Sequence, residues 1–298
     1  MKVKNITRAV GPWPVRDPFI LTAHHYDKYP KGNGHMGPAA SLAGRTLGND
    51  FDRNAEWRMY HGETIPGFPH HPHRGFEIVT IIPQGYADHV ASRGSNGRYG
   101  EGDVQLMSAG KGVLHGEMFP LIHEDKENPL RLFQIWVNMQ GKNKLTEPSY
   151  KMLWRDDIPV KSLVNEQGGK VNIKLILGAF DDVNALGPLP YSWAQNPESH
   201  MRIALVEMDA DTEFHLEAIS KTLNRFVFVY EGKDSVRMAN QHVGEGFLAD
   251  LAGDEDILIR SEGQGAKLLI LEGEPINEPV AAYGPFVMNT QQELQEAF

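Results

Sequence analysis

The chain has 298 residues, of which 41% are hydrophobic and none is cysteine. This length and apolar content suit one large or two medium domains and exclude wholesale disorder. The absence of cysteine excludes disulfides, thiolate metal sites and cysteine nucleophiles. The net charge of −10 argues against direct nucleic-acid binding, because phosphates are attracted to basic surfaces.

The first part of the chain carries no recognisable targeting or membrane signal. Residues 1–19 lack the apolar run and the small-residue cleavage site of a signal peptide. No later window approaches the roughly 20 apolar residues that a membrane-spanning helix needs. We therefore expect a soluble, cytoplasmic protein. Residues 30–50 are rich in glycine and small residues and predict a long surface loop. The role of the segment 31–66, as a lid or an oligomer contact, stays open.

Short runs of β-branched and aromatic residues predict that most regular structure is strand. The clearest runs are residues 78–82, 104–107 and 132–137, and turn-forming residues close most of these runs, as expected for strands joined by tight turns. The best helical pattern is at residues 290–298, where a capping-box sequence opens the segment. The sequence therefore predicts an all-β fold with a short C-terminal helix.

A weak internal repeat relates the two halves of the chain. Each half has a strand, a Gly-Glu-Gly turn and a closing apolar strand, at residues 76–85, 100–102 and 130–137, and again at 225–232, 244–246 and 266–273. Such repetition predicts one β-barrel unit used twice. We expect domains at residues 1–150 and 151–298, with a loop-like join near 140–170.

Four residues form a candidate metal site. His71 and His73 lie two residues apart, as do His115 and Glu117, and residues i and i+2 of a strand point to the same face. If the two strands oppose each other inside a barrel, the four side chains converge. Three imidazoles and a carboxylate suit Fe, Mn, Co, Ni, Cu or Zn rather than Mg or Ca. The neighbouring His70 should point away from this face.

A His-X-His motif followed by a later histidine resembles the two motifs of the cupin superfamily. Longer motifs resemble the pirin family, from about residue 17 to the end of the chain. They are DPF (17–19), GFPHHPHRGFE (67–77), GDVQLMSAGKGVLHGEM (102–118), LFQIWVN (132–138), GEPINEPV (273–280) and GPFVMNT (284–290). The resemblance implies a bicupin, with two double-stranded β-helix (jelly-roll) barrels.

The resemblance also implies one metal, usually iron, bound in the N-terminal cupin by His71, His73, His115 and Glu117. Many cupins instead use a glutamate shortly after His-X-His, which would be Glu77 here, but in pirins that residue is not the usual ligand. We expect one mononuclear divalent metal, first Fe(II), with Mn, Co, Ni, Cu or Zn as alternatives. The C-terminal cupin is expected to be metal-free.

The chain departs from the family pattern near its site. Pirins favour Asp-Ser after the histidine that matches His89, where this chain has Val-Ala. The immediate surroundings of the metal are therefore not predicted by the resemblance.

The implied activity is similar to that of quercetin 2,3-dioxygenases. The hypothesis is that a flavonol-like enol and O₂ are the substrates and that Glu117 acts both as metal ligand and as base. Candidate walls of the substrate pocket are Phe68, Arg74, Met107 and Met118.

A second hypothesis is a non-enzymatic co-regulator that binds a transcription factor or a metabolic enzyme according to the metal's redox state. The acidic charge argues against a direct contact with DNA but not against a protein partner. A local basic surface could involve Arg8, Arg16, Arg53, Arg58 and Arg74. Turnover of a flavonol separates this hypothesis from the first.

Overall fold

The structure, a computed structural model, describes residues 1–233 and 236–298 and is almost entirely β-structure. The strands up to residue 153 are β1 (Val3–Arg8), β2 (Trp13–Pro14), β3 (Phe19–Tyr29), β4 (Gly67–His73), β5 (Phe76–Gln84), β6 (Tyr86–Ala91), β7 (Asn96–Gly100), β8 (Val104–Ser108), β9 (Val113–Met118), β10 (Asn128–Asn138) and β11 (Ser149–Leu153).

The later strands are β12 (Val160–Val164), β13 (Lys170–Leu177), β14 (Ala179–Phe180), β15 (Val183–Asn184), β16 (Arg202–Met208), β17 (Glu213–Leu216), β18 (Asn224–Glu231), β19 (Val236–Met238), β20 (Gln241–Val243), β21 (Phe247–Leu251), β22 (Ile257–Ser261), β23 (Ala266–Gly273), β24 (Ala281–Tyr283) and β25 (Phe286–Met288). Helix α1 spans Gln291–Gln295, and short 3₁₀ helices lie at Gly141–Asn143, Trp193–Gln195 and Pro197–Ser199. Among the described residues, no helix has the length and apolar character needed to cross a membrane.

The chain forms two compact units. The first unit comprises Thr22–Arg155 and Glu278–Phe298, and the second comprises Met1–Leu21 and Asp156–Asn277. Compared with the predicted ranges 1–150 and 151–298, the internal boundary lies a few residues later and both chain ends change unit. The ends do so because β1 pairs with β21 in the second unit and β25 lies beside the start of β5 in the first.

Two sheets build the first unit. One contains β11-β8-β5-β10-β3 in that order, and the other is β4-β9-β6-β7. Every residue of β5 from Phe76 to Ile82 is buried, as expected for a central strand covered on both faces. Side chains from β5, β8 and β10 contact side chains from β6 and β9. The space between the two sheets is therefore where the predicted metal ligands of β9 lie.

The second unit also has two main sheets, but different residues occupy its interior. Its sheets are β1-β21-β18-β23-β16-β13-β12 and β17-β22-β19-β20. Aliphatic and aromatic side chains from both sheets, among them Val206, Phe214, Val227, Ile257 and Ile270, form one continuous core. The interior that holds histidines in the first unit is apolar here.

The predicted strands at 78–82, 104–107 and 132–137 are confirmed as parts of β5, β8 and β10. The expectation of a loop-like join at 140–170 was wrong in part, because β11 and β12 lie there. Both are edge strands, and β12 exposes Val160 and Val164 while it half-buries Lys161, so its apolar residues do not follow a period-2 pattern.

The C-terminal helix is confirmed but ends at Gln295. The Glu293 N–H donates to Thr290 Oγ1 at 3.2 Å, and the Thr290 N–H donates to the Glu293 carboxylate at 2.9 Å, which is the predicted capping box. Residues 30–50 lack named strands, as expected. The longer segment 31–66 buries Met59 and Tyr60, so this part of the chain also contributes to the core.

Candidate metal centre

Strands β4 and β9 bring three of the predicted ligands together. His71 lies directly opposite His115 in the antiparallel pairing, and His73 lies opposite Val113. Donor nitrogens of His71, His73 and His115 all lie within 4.8 Å of one another. His73 and His115 are 3% and 0% exposed, whereas His71 is half-buried and closest to solvent. The neighbouring His70 is exposed, as its strand position predicts.

Backbone carbonyls fix how two of these imidazoles are oriented. The His71 Nδ1–H donates to the Pro69 carbonyl at 2.8 Å, and the His73 Nδ1–H donates to the Pro285 carbonyl at 3.2 Å. In the neutral ring the Nε2 atom then carries the lone pair. His73 Nε2 and both nitrogens of His115 are buried without a hydrogen-bond partner.

These unpartnered nitrogens show that the residues fit a metal. A buried polar atom without a partner is costly, and native proteins rarely keep one without a role. Burial lowers the pKa of His73 to about 3 and also lowers the pKa values of His71 and His115. The three imidazoles are therefore neutral at physiological pH, which is the form that binds a divalent metal.

Glu117 lies on the same strand face as His115 and is 2% exposed. Its two oxygens accept hydrogen bonds from Gln134 Nε2 at 2.7 Å and Thr80 Oγ1 at 3.3 Å. The Trp136 indole N–H donates to the Gln134 oxygen at 3.1 Å, which orients the Gln134 amide. Burial raises the pKa of Glu117 to about 7, and the two hydrogen bonds oppose this rise. Such a carboxyl group is suited to exchange a proton near neutral pH.

His89 joins this site although the sequence did not predict it as a metal-binding residue. It lies opposite Glu117 in the β6–β9 pairing, is 1% exposed, and forms a second donor group with His115 and Glu117 within 4.8 Å. Gln105 Nε2 lies 3.1 Å from its Nδ1, and Tyr150 stacks on its ring at 5.3 Å. The available signal was the buried alternation Ala87–His89–Ala91 on β6.

The four predicted ligands thus converge in two overlapping groups that share His115. Glu77, the alternative carboxylate, is buried on β5 opposite Ser108 and Val137 and belongs to neither group.

The structure places only some of the predicted pocket residues near the metal site. The Phe68 ring lies 6.4 Å from the His71 ring and stacks on Tyr60 at 5.1 Å. Met107 is buried and lines a cavity in the first unit. Arg74 instead donates from Nη1 to the Glu296 carbonyl at 3.1 Å, and Met118, one residue after Glu117 on β9, alternates to the other face of the strand. Phe68 and Met107 therefore lie near the site, and Arg74 and Met118 do not face it.

Among the described residues of the second unit, no comparable donor group occurs. Its interior is the apolar core described above.

Two facing-sheet units and a histidine–glutamate metal-binding group in one of them define a two-domain cupin. The chain belongs to the pirin family. Its residues 17–137 match the family model described as Pirin, and residues 203–298 match the Pirin C-terminal cupin domain.

Curated relatives agree with this assignment. A Pirin-like protein of Caulobacter vibrioides is 37% identical over 234 residues, covering 78% of each chain. A Pseudomonas aeruginosa protein named "Putative quercetin 2,3-dioxygenase" is 35% identical over 246 residues, also covering 78% of each chain.

Solved structures show the same fold. A quercetin 2,3-dioxygenase from Acinetobacter baumannii aligns with a TM-score of 0.75 at 24% identity, over 99% of this chain and 94% of that one. A bacterial pirin from Escherichia coli in complex with nickel(II) aligns with a TM-score of 0.57 at 17% identity, over 88% and 85% of the two chains. The predicted bicupin fold is confirmed.

Proposed function

We propose that this pirin is a metal-dependent dioxygenase of the quercetin 2,3-dioxygenase type, acting on a flavonol-like enol and O₂. The observation that carries the proposal is the buried cluster of imidazole nitrogens without hydrogen-bond partners, beside a buried carboxyl group. The name of the Pseudomonas aeruginosa relative supports the choice of reaction.

In this proposal His71, His73, His115 and Glu117 hold one mononuclear divalent metal. Their donor set suits several transition metals, and Fe(II) is the one proposed, because the pirin resemblance implies iron. When bound, such a metal supplies polarisation of the substrate oxygen and electron exchange with O₂. Because four protein residues would hold the metal, further groups such as the substrate oxygen could also bind it.

Glu117 has a second role, as the base that takes the proton of the substrate hydroxyl. Its raised pKa, to about 7, matches a group that must accept and return a proton at neutral pH. The hydrogen bonds from Gln134 and Thr80 hold the carboxylate in a fixed position beside His115. Burial of His73, His115 and Glu117 keeps bulk water from the deprotonated substrate.

The test compares Glu117→Gln with the wild type, both loaded anaerobically with Fe(II) and supplied with quercetin and O₂. Loss of the base should lower the rate of flavonol consumption by about 10²- to 10⁴-fold. Bound iron is measured on the same samples, so that loss of metal is distinguished from loss of the base.

Glu77→Gln is the matched comparison, because it makes the same chemical change at a buried glutamate on the neighbouring sheet. We expect it to retain metal and turnover. Wild-type protein that holds a full complement of iron but consumes no flavonol would contradict the proposal. The redox-dependent co-regulator would then become the better hypothesis.

A further inference from the structure

A cavity of about 270 Å³ lies in the first unit beside the histidine cluster. Two of its lining residues, Ala91 and Val113, have ligand histidines as cross-strand neighbours: Ala91 is opposite His115, and Val113 is opposite His73. Directly opposed residues of antiparallel strands share one sheet face. The cavity therefore borders the proposed metal centre from the interior side of the two sheets.

The walls of this cavity combine apolar side chains with polar ones, among them Arg93, Ser95 and Ser149, and include one aromatic ring. Met107 and Val113 are buried, Pro148 lies beside them, and Tyr150 is half-buried. Tyr150 also stacks on His89, with ring planes 23° apart. At about 270 Å³ the space is just below the usual range of ligand pockets, about 300–1,000 Å³. It suits one small flat molecule rather than a bulky one.

Arg93 is the charged side chain among the residues that line the cavity. Arg93 lines it and lies 3.1 Å from Glu147, and Lys111 pairs with the same carboxylate. Two cations thus share one anion, although the chain as a whole carries a net charge of −10. Arg93 at the rim attracts an anionic ligand.

We propose that this cavity binds the aromatic body of a phenolic, partly ionised substrate, with Tyr150 as a stacking surface and Arg93 as the group that attracts the phenolate. The proposal rests on the function proposed above and specifies where its substrate lies. The substrate approaches between Tyr150 and Arg93, beside His89.

The experiment measures the Kd of quercetin for the full-length, Fe(II)-loaded protein without oxygen, from the change in flavonol fluorescence. Met107→Trp fills the cavity and should raise Kd at least about tenfold, a change of about 1.4 kcal/mol. Arg93→Ala, at a rim position 51% exposed, should raise Kd about threefold at low salt and less in high salt, because the rim charge is screened. This second variant cannot disturb the core.

Arg260→Ala is the matched control, since Arg260 is 48% exposed and pairs with Glu213 in the second unit. We expect it to leave Kd unchanged. Wild-type protein that fails to bind quercetin overturns the proposal, as does unchanged affinity in Met107→Trp with normal iron content and unfolding temperature. Binding that is weakened by these variants, but without oxygen consumption, would uphold the cavity and contradict only the dioxygenase activity.

Discussion

His115 is the residue on which the site depends most. It lies in both donor groups, is fully buried, and its two ring nitrogens lack hydrogen-bond partners. A hydrogen bond that holds the fold together would leave at least one of these nitrogens paired. The arrangement therefore indicates a side chain retained for binding a metal rather than for stabilising the barrel.

At this scale we predict that His115→Ala abolishes tight metal binding and leaves the protein folded. Removing a ligand shared by both donor groups destroys the site, whereas truncating an unpaired imidazole removes no hydrogen bond. Metal content after loading and the thermal unfolding curve of the metal-free protein are the measurements. His215→Ala, at an exposed histidine of the second unit, is the control and should keep its metal. An unfolded His115→Ala variant would show that the residue is structural instead.

The sequence predicted the convergence of His71, His73, His115 and Glu117 because strand alternation is a local property. It missed His89, whose approach to Glu117 depends on the β6–β9 pairing, a contact between segments that no local pattern specifies. Arg74 was assigned to the pocket for the same reason, since its actual partner, Glu296, lies 222 positions further along the chain.

Among the elements, β16, β18 and β23 carry a buried cluster of charges in the second unit. Arg225 is fully buried; it pairs with Glu272 and donates to the carbonyls of Ala252 and Glu255, at 3.1 Å each. Arg202 lies 3.2 Å from the other oxygen of Glu272. A buried charge that loses its partners is costly, so this cluster holds the end of an otherwise apolar core together.

We predict that Arg225→Ala lowers the free energy of unfolding by about 3–5 kcal/mol, because it leaves Glu272 buried with only one cation nearby. Arg237→Ala breaks an ion pair with Glu262 whose side chains are 43% and 41% exposed, and should cost less than about 1 kcal/mol. Urea unfolding of both variants gives the comparison. Equal losses for the two variants would contradict the stabilising role assigned to the buried cluster.

At the scale of the whole molecule, the first unit is completed by the last residues of the chain. The Lys144 ammonium is buried and donates to the Val287 carbonyl at 3.2 Å and to the Gly75 carbonyl at 2.8 Å. The Pro285 carbonyl accepts the hydrogen bond that orients the His73 ring. The GPFVMNT motif at residues 284–290 therefore supports the metal centre from outside, a role that its sequence alone does not reveal.

We predict that truncation after Asn277 weakens metal binding about 10- to 100-fold, the usual cost of losing a hydrogen-bond partner of a metal ligand. A competition titration against a metal-binding dye measures the affinity. A shorter truncation after Gln295 retains Pro285 and Val287 and is the control. If both truncations bind metal as the full chain does, the tail has no part in the site.

The repeated barrel was predictable from the sequence because each half repeats its own turns and apolar runs. The unit to which each chain end belongs could not be predicted, because β1 and β21 lie about 240 residues apart in the sequence. The strands at the chain ends also have weak hydrophobic patterns. The GPFVMNT motif at residues 284–290 is visible in the sequence, but its contacts with Gly75 and Lys144 are set by the tertiary structure alone.

The most direct measurement of the central claim is the molar ratio of O₂ to quercetin consumed by Fe(II)-loaded wild-type protein, followed in one vessel with an oxygen electrode and by absorbance. A dioxygenase places both oxygen atoms in its product, so the predicted ratio is one to one, with no consumption by the metal-free protein. Quercetin loss without matching oxygen uptake, or no loss at full iron occupancy, would contradict the account.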